Sequence, residues 1–98
     1  MTEKCDITCT AKTLKAISHP LRLKILCCLN DGELSVKEIV EKSGAMQSNI
    51  SQHLTFLRNK NILTARRDAN RVFYRIAKLE LIDVIKMMQA LYCQHEAA

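Results

Sequence analysis

Glycine and proline are scarce in this chain of 98 residues: two glycines, Gly32 and Gly44, and one proline, Pro20. Interrupters that sparse go with a mostly helical chain. No stretch approaches the ~20 consecutive apolar residues that a membrane-spanning helix needs, so no membrane partner is expected. The opening MTEKCDITCT lacks the apolar run of a secretory leader, and the expected location is cytoplasmic. There is no C-x-x-C and no βαβ pattern, which argues against a thiol oxidoreductase. No catalytic constellation is present; the chain reads as a non-enzyme that requires no cofactor. Repeats, low-complexity tracts and linkers are also missing. At this length the chain is one domain, small enough that oligomerisation is a natural supplement to its core.

What is present is positive charge and cysteine. Lys and Arg number 15 against 10 Asp and Glu, a net charge of +5. That balance favours an anionic partner, nucleic acid first. The five cysteines are an odd number, which does not fit a fully paired disulfide framework. In a reducing compartment they serve as core residues, metal ligands or redox sensors.

Helical periodicity runs through most of the sequence. Ala11, Leu14 and Ile17 recur at helical spacing until Ser18-His19-Pro20 breaks the run. Pro20 suits the first turn of a second helix, with Ser18 or His19 as its cap. That helix, LRLKILCCL, ends at Asn30-Asp31-Gly32. Ser35 and Glu38 have the spacing of a capping box at the head of a third helix, and Gly44 ends it. A fourth helix opens at Met46-Gln47 and runs to about Asn59, with Ile50, Leu54 and Leu57 as its buried stripe. Ile62 to Arg67 and Arg71 to Ile76 are strand-like, joined by Asp68-Ala69-Asn70, with Asn70 the expected left-handed residue. A last helix covers Leu79 to Cys93. The expected organisation is a flexible arm over 1–9, one domain over 10–93 and a tail over 94–98.

A helix pair joined at a glycine and followed by a basic hairpin describes a winged helix-turn-helix, mainly α with a β-hairpin wing. On the wheel of the fourth helix, Ser48, Ser51, Gln52 and Thr55 lie opposite the apolar stripe, with Gln47 at the tip. A merely solvated face carries Glu and Lys; this one carries short polar donors and acceptors and no acid, which suits base edges and phosphates. His53 falls beside the stripe and reads as a packing or helix-junction residue. Of Arg66, Arg67, Arg71 and Arg75, strand alternation keeps all four from facing one way. Arg67 and Arg71, nearest the tip, are the DNA candidates.

The stretch "LSVKEIVEKSGAMQSNISQHLTFLRNKNIL" followed by "RRDANRVFYRI", with "SHPLRLKIL" before it, resembles the ArsR/SmtB family of dimeric bacterial transcriptional regulators. The resemblance implies operator contacts at Gln47, Ser48, Ser51 and Gln52, and a homodimer formed through the first and last helices. The last helix fits that role: Leu81, Val84, Ile85, Met88, Leu91 and Tyr92 spread over an arc too wide for one partner surface.

Metal-sensing members carry cysteines in an "ELCVCD" box, where this chain has "ELSVKE"; Ser35 and Lys37 stand at those positions. Others place Asp, His, His and Glu along the last helix, where this chain has only Asp83 and a late His95-Glu96. "LKILCCLNDGELSV" with the terminal "ALYCQHE" is similar instead to the persulfide- and redox-responsive HlyU/BigR/SqrR-type branch. That resemblance assigns the sensing pair to Cys27 and Cys93, bridged by oxidants or reactive sulfur species with loss of DNA affinity.

On the wheel, Leu21, Ile25, Cys28 and Leu29 cluster, with Cys27 nearly opposite. Cys28 is therefore expected in the core and Cys27 toward the last helix. Lys24 beside Cys27 and His95 beside Cys93 favour thiolate, the nearby helix C-termini oppose it, and the sequence leaves the balance open. Two other regulators remain open: a metal or arsenite sensor using Cys5 and Cys9 with Cys27 or Cys93, and an anti-silencing activator.

Overall fold

The computed structural model describes residues 6–92. Its elements in chain order are α1 (Ile7–Ile17), α2 (Pro20–Cys28), β1 (Leu34–Ser35), α3 (Val36–Ser43), α4 (Gln47–Asn59), β2 (Leu63–Asp68), β3 (Arg71–Ile76) and α5 (Leu79–Tyr92). This is a winged helix-turn-helix.

Three of the helix starts have a local cause. Asp6 caps α1, its carboxylate accepting from the Cys9 N–H at 3.0 Å. The helix therefore begins three residues inside the segment expected as a flexible arm, because an N-cap aspartate satisfies donors that would otherwise favour solvent. His19 caps α2, its Nδ1 accepting from the Leu21 N–H at 3.1 Å, with Pro20 in the first turn. The capping box of α3 is complete. Ser35 Oγ accepts from the Glu38 N–H (3.2 Å) and Glu38 Oε1 accepts from the Ser35 N–H (2.8 Å). Gly44, at φ 74°, closes α3 in the left-handed region and turns the chain into α4.

The core draws buried residues from all five helices and from the hairpin. Ile25, Leu26 and Leu29 of the α2 end pack with Ile39 of α3, with Ile50, Leu54 and Leu57 of α4, and with Ile62, Leu63 and Ile76 around the hairpin. Ala16 and Ile17 contribute from α1. The expected stripe of α4 is buried in full. The contribution of α5 is thin: only Ile85 is fully buried, with Leu81 and Ile82 half-buried. Val84, Met87, Met88, Leu91 and Tyr92 stand exposed, as do Ile7 and Leu14 on α1. Val84, Met87, Met88, Ala90 and Leu91 line a shallow apolar depression.

The sheet has three strands, order β1-β3-β2, all antiparallel. The hairpin was expected alone; β1 is an addition. Leu34 pairs with Tyr74 and Ser35 with Phe73, so the residue that caps α3 also pairs with the wing. Two residues are too few to show alternation. The hairpin turn also differs from expectation. Ala69, at φ 58°, takes the left-handed position and Asn70 does not. The register Asp68↔Arg71 leaves Ala69 and Asn70 as a two-residue loop, whose first position must turn left-handed to match strand twist.

Candidate nucleic-acid interface and thiol site

Burying Ile50, Leu54 and Leu57 fixes the rotation of α4, and the opposite face follows. Gln47, Ser48, Ser51, Gln52 and Thr55 are all exposed. Met46, at the N-cap, makes no side-chain capping bond, and the first turn holds no acid. The leading N–H groups of α4 thus point outward uncapped, at the positive end of the helix dipole, which suits a phosphate oxygen. Gln47 and Ser51 line a groove with Lys37 and Glu41 of α3 and Asn70, Arg71 and Val72 of the wing. The fold therefore gathers the exposed polar face of α4 and the wing tip around one concavity.

The four wing arginines divide by register. Arg66, Arg71 and Arg75 share one face of the hairpin with Phe73, while Arg67, opposite Val72, lies on the other. Arg66 is engaged structurally. Its Nε and Nη2 donate to both carboxylate oxygens of Glu33 (2.7 and 2.8 Å), and its guanidinium lies 4.7 Å from the Phe73 ring. That fork geometry holds the Glu33 carboxyl below the usual carboxylate range, first through the hydrogen bonds from Arg66. Arg67 and Arg71 remain exposed near the tip. His53 is a junction residue, as its place beside the stripe implied: half-buried, it accepts from Arg22 and lies against His19.

The two adjacent cysteines are placed differently from the wheel. Leu26, absent from the expected core face, is fully buried, and Cys27 packs against the core cluster while Cys28 does not. Both thiols are half-buried. The reason is that α2 is covered from several sides, by α3, α4 and α5, so no single apolar arc describes it. Burial, then the neighbouring Cys28, pushes the Cys27 thiol upward. Burial also raises Cys28, with Lys42 and Lys24 drawing it back in part. The lysine expected to assist Cys27 therefore acts on Cys28.

Three residues after Cys27, Asn30 Nδ2 donates to Gln89 Oε1 at 3.1 Å, tying the end of α2 to α5. Asn30 Oδ1 is buried without a partner. Cys9 is exposed on α1. Cys5 and Cys93 lie outside the described residues, and so do His95 and Glu96. Among the described residues no group of three His, Cys, Asp or Glu side chains is placed to hold a metal ion. No helix among them is long and apolar enough to cross a membrane.

Known proteins share both sequence and shape with this chain. Residues 19–65, from the α2 cap into β2, match the family model described as a bacterial regulatory protein of the arsR family. The transcriptional activator HlyU of Vibrio cholerae is 42% identical over 81 residues, covering 83% of this chain and 75% of the relative. The biofilm growth-associated repressor of Xylella fastidiosa is 35% identical over 86 residues, covering 88% of this chain and 75% of the relative. The solved structure of reduced HlyU from Vibrio cholerae superposes with a TM-score of 0.81 at 39% identity, covering 89% of this chain and 92% of that one. With its helix-turn-helix, its paired wing and these relatives in agreement, the chain belongs to the ArsR family of DNA-binding bacterial transcriptional regulators, on the branch that includes HlyU and the biofilm growth-associated repressor.

Proposed function

We propose that this regulator is a homodimeric repressor that reads operator DNA with α4 and the wing tip and releases it when Cys27 and Cys93 are bridged. The observation that carries the DNA reading is the acid-free, exposed face of Gln47, Ser48, Ser51, Gln52 and Thr55, opening on the same groove as Arg71. Side-chain amides and hydroxyls there read base edges in the major groove, while the uncapped start of α4, Arg67 and Arg71 neutralise phosphate. The second copy covers the exposed apolar residues of α5 and α1. Two-fold pairing sets two recognition helices one DNA turn apart.

The sensing step joins two thiols. Bridging Cys27 and Cys93 as a disulfide passes two electrons to an oxidant and two protons to solvent. A sulfane-sulfur donor can be that oxidant: one of its sulfur atoms takes the two electrons and two protons and leaves as hydrogen sulfide, while one or more others stay between the two cysteines. Cys27 fits this role through its place at the edge of the core, close in sequence to the Asn30–Gln89 link between α2 and α5. Gln89 precedes Cys93 by four positions. The relative whose structure is described as reduced supports a thiol state that matters. Burial favours the protonated form of the Cys27 thiol at rest. A 10²-fold drop in operator affinity requires only ~3 kcal/mol of coupling between the bridge and the dimer geometry.

The test compares operator affinity of the full chain when reduced, when treated with polysulfide or diamide, and as Cys27→Ser and Cys93→Ser. The bridge predicts release for the native chain and retention for both variants. Equal affinity across all of them sinks the sensing step, and no binding by the reduced chain sinks the operator reading.

A further inference from the structure

Away from the groove, one arginine ties three helices together. Arg22, in the first turn of α2, donates through Nη1 to the Ala16 carbonyl at 2.9 Å, at the end of α1. Its Nε donates to His53 Nδ1 on α4 at 3.2 Å. The same guanidinium lies over the Phe56 ring, one turn along α4, at 3.7 Å from the centroid. The His19 ring packs against His53, centroids 4.6 Å apart. His53 directly follows Gln52, so whatever fixes it fixes the presentation of the recognition face.

Among the described residues, the charged and titratable groups around His53 are His19 and Arg22, both from the α2 end of the junction. On its own helix Phe56 lies beside it, with Lys60 Nζ 5.5 Å from that ring. From α1 the junction receives a carbonyl, not a carboxylate. The arrangement requires a neutral imidazole, because Nδ1 is the acceptor of the Arg22 bond. An added proton goes to that nitrogen, removes the acceptor and sets an imidazolium against a guanidinium with no anion beside them among the described residues.

We propose that the Arg22–His53 bond positions the recognition helix on α1 and α2, and that protonation at Nδ1 releases this clamp and weakens operator binding in mild acid. The inference rests on the reading that α4 contacts the operator. Burial, then His19 and Arg22, already hold His53 below its ordinary value of 6.5. The neutral clamp is therefore intact above 6.5 and is lost as pH falls through the lower folded value. The sign is diagnostic. Acid adds positive charge to a basic protein and ordinarily strengthens its hold on phosphate; the clamp predicts the reverse.

Operator affinity of the reduced full chain, followed by fluorescence anisotropy at fixed salt from about pH 8 to about pH 5.5, is expected to fall severalfold, within the limit of about tenfold that one pKa unit of coupling sets. His53→Gln keeps an acceptor for Arg22 and does not titrate, so its affinity should hold level or rise over the same range. Without DNA, an NMR titration should move the His53 ring and the amides of Ser51, Gln52 and Thr55 at one midpoint. A native affinity that stays level or rises in acid, a fall in His53→Gln that matches the native chain, or amides that ignore the His53 titration would each overturn the clamp. A chain that binds no operator at any pH refutes the operator reading, and the NMR titration then decides the clamp alone.

Discussion

The two faces of α4 separate stability from recognition, and a pair of alanine substitutions exposes the division. Leu54 is buried to 1% exposure between α2, α3 and the hairpin. Leu54→Ala removes buried methyl groups and leaves a cavity, which costs about 2–5 kcal/mol. A domain of this size has roughly 5–15 kcal/mol in all. At about 4–8 °C per kcal/mol, the melting temperature should drop by roughly 8–40 °C. Gln52, two positions earlier, is exposed. Gln52→Ala should change stability by no more than about 0.5 kcal/mol, alanine being at least as good a helix former. It forfeits a side-chain amide able to pair with a base edge, a loss of about 1–3 kcal/mol, or roughly 5- to 150-fold in operator affinity. Circular-dichroism melts at one protein concentration and anisotropy titrations at one salt concentration measure both, on a duplex selected from a random pool by the native chain. A Gln52→Ala chain that binds like the native one, or a Leu54→Ala chain that melts like it, would refute the orientation of α4 and the function drawn from it.

Two further expectations concern the wing. Arg67→Ala and Arg71→Ala should each weaken binding about equally on operator and on unrelated duplex and reduce the salt slope by about 0.9, whereas Arg66→Ala, losing its Glu33 fork, should lower the melting temperature; three variants indistinguishable in both assays would undo the division of the arginines. Ser35→Ala breaks the capping box of α3, costing about 1 kcal/mol, read as a melt about 4–8 °C lower, and an unchanged melt would show that β1 pairing holds the helix start without it.

How much of this was legible beforehand depended on how local each cause is. Ser35 with Glu38, and Gly44, act on backbone within one turn, and the structure reproduces both. The stripe of Ile50, Leu54 and Leu57 was equally readable, because α4 has one buried side and one open side. α2 lacks that simplicity. Packed by several neighbours, it buries Leu26 and draws Cys27 onto the core, and a wheel that assumes one apolar arc put Cys28 there instead. The strand at Leu34–Ser35 is created by the wing that folds against it, and two residues hold no periodicity to read. The turn favoured Asn70 on propensity, but the hairpin register handed the left-handed position to Ala69. Of the proposed operator-facing residues, all that were read from the wheel are exposed on one helix face; the role proposed for Arg22, spread over three helices, was announced only by a charged residue intruding beside the apolar face of the second helix.

The strand order has a bearing on solubility. With β3 in the middle, the sheet has two open edges, and an open edge is a template on which another chain can add a strand. One edge is β1, only two residues long and so a poor template. The other is the full-length β2, which ends in Arg66, Arg67 and Asp68, all exposed. Those charges make strand addition from a second molecule electrostatically costly. The arginines proposed to meet a polyanion thus also keep the wing from growing into a larger sheet, and neutralising the edge should promote aggregation.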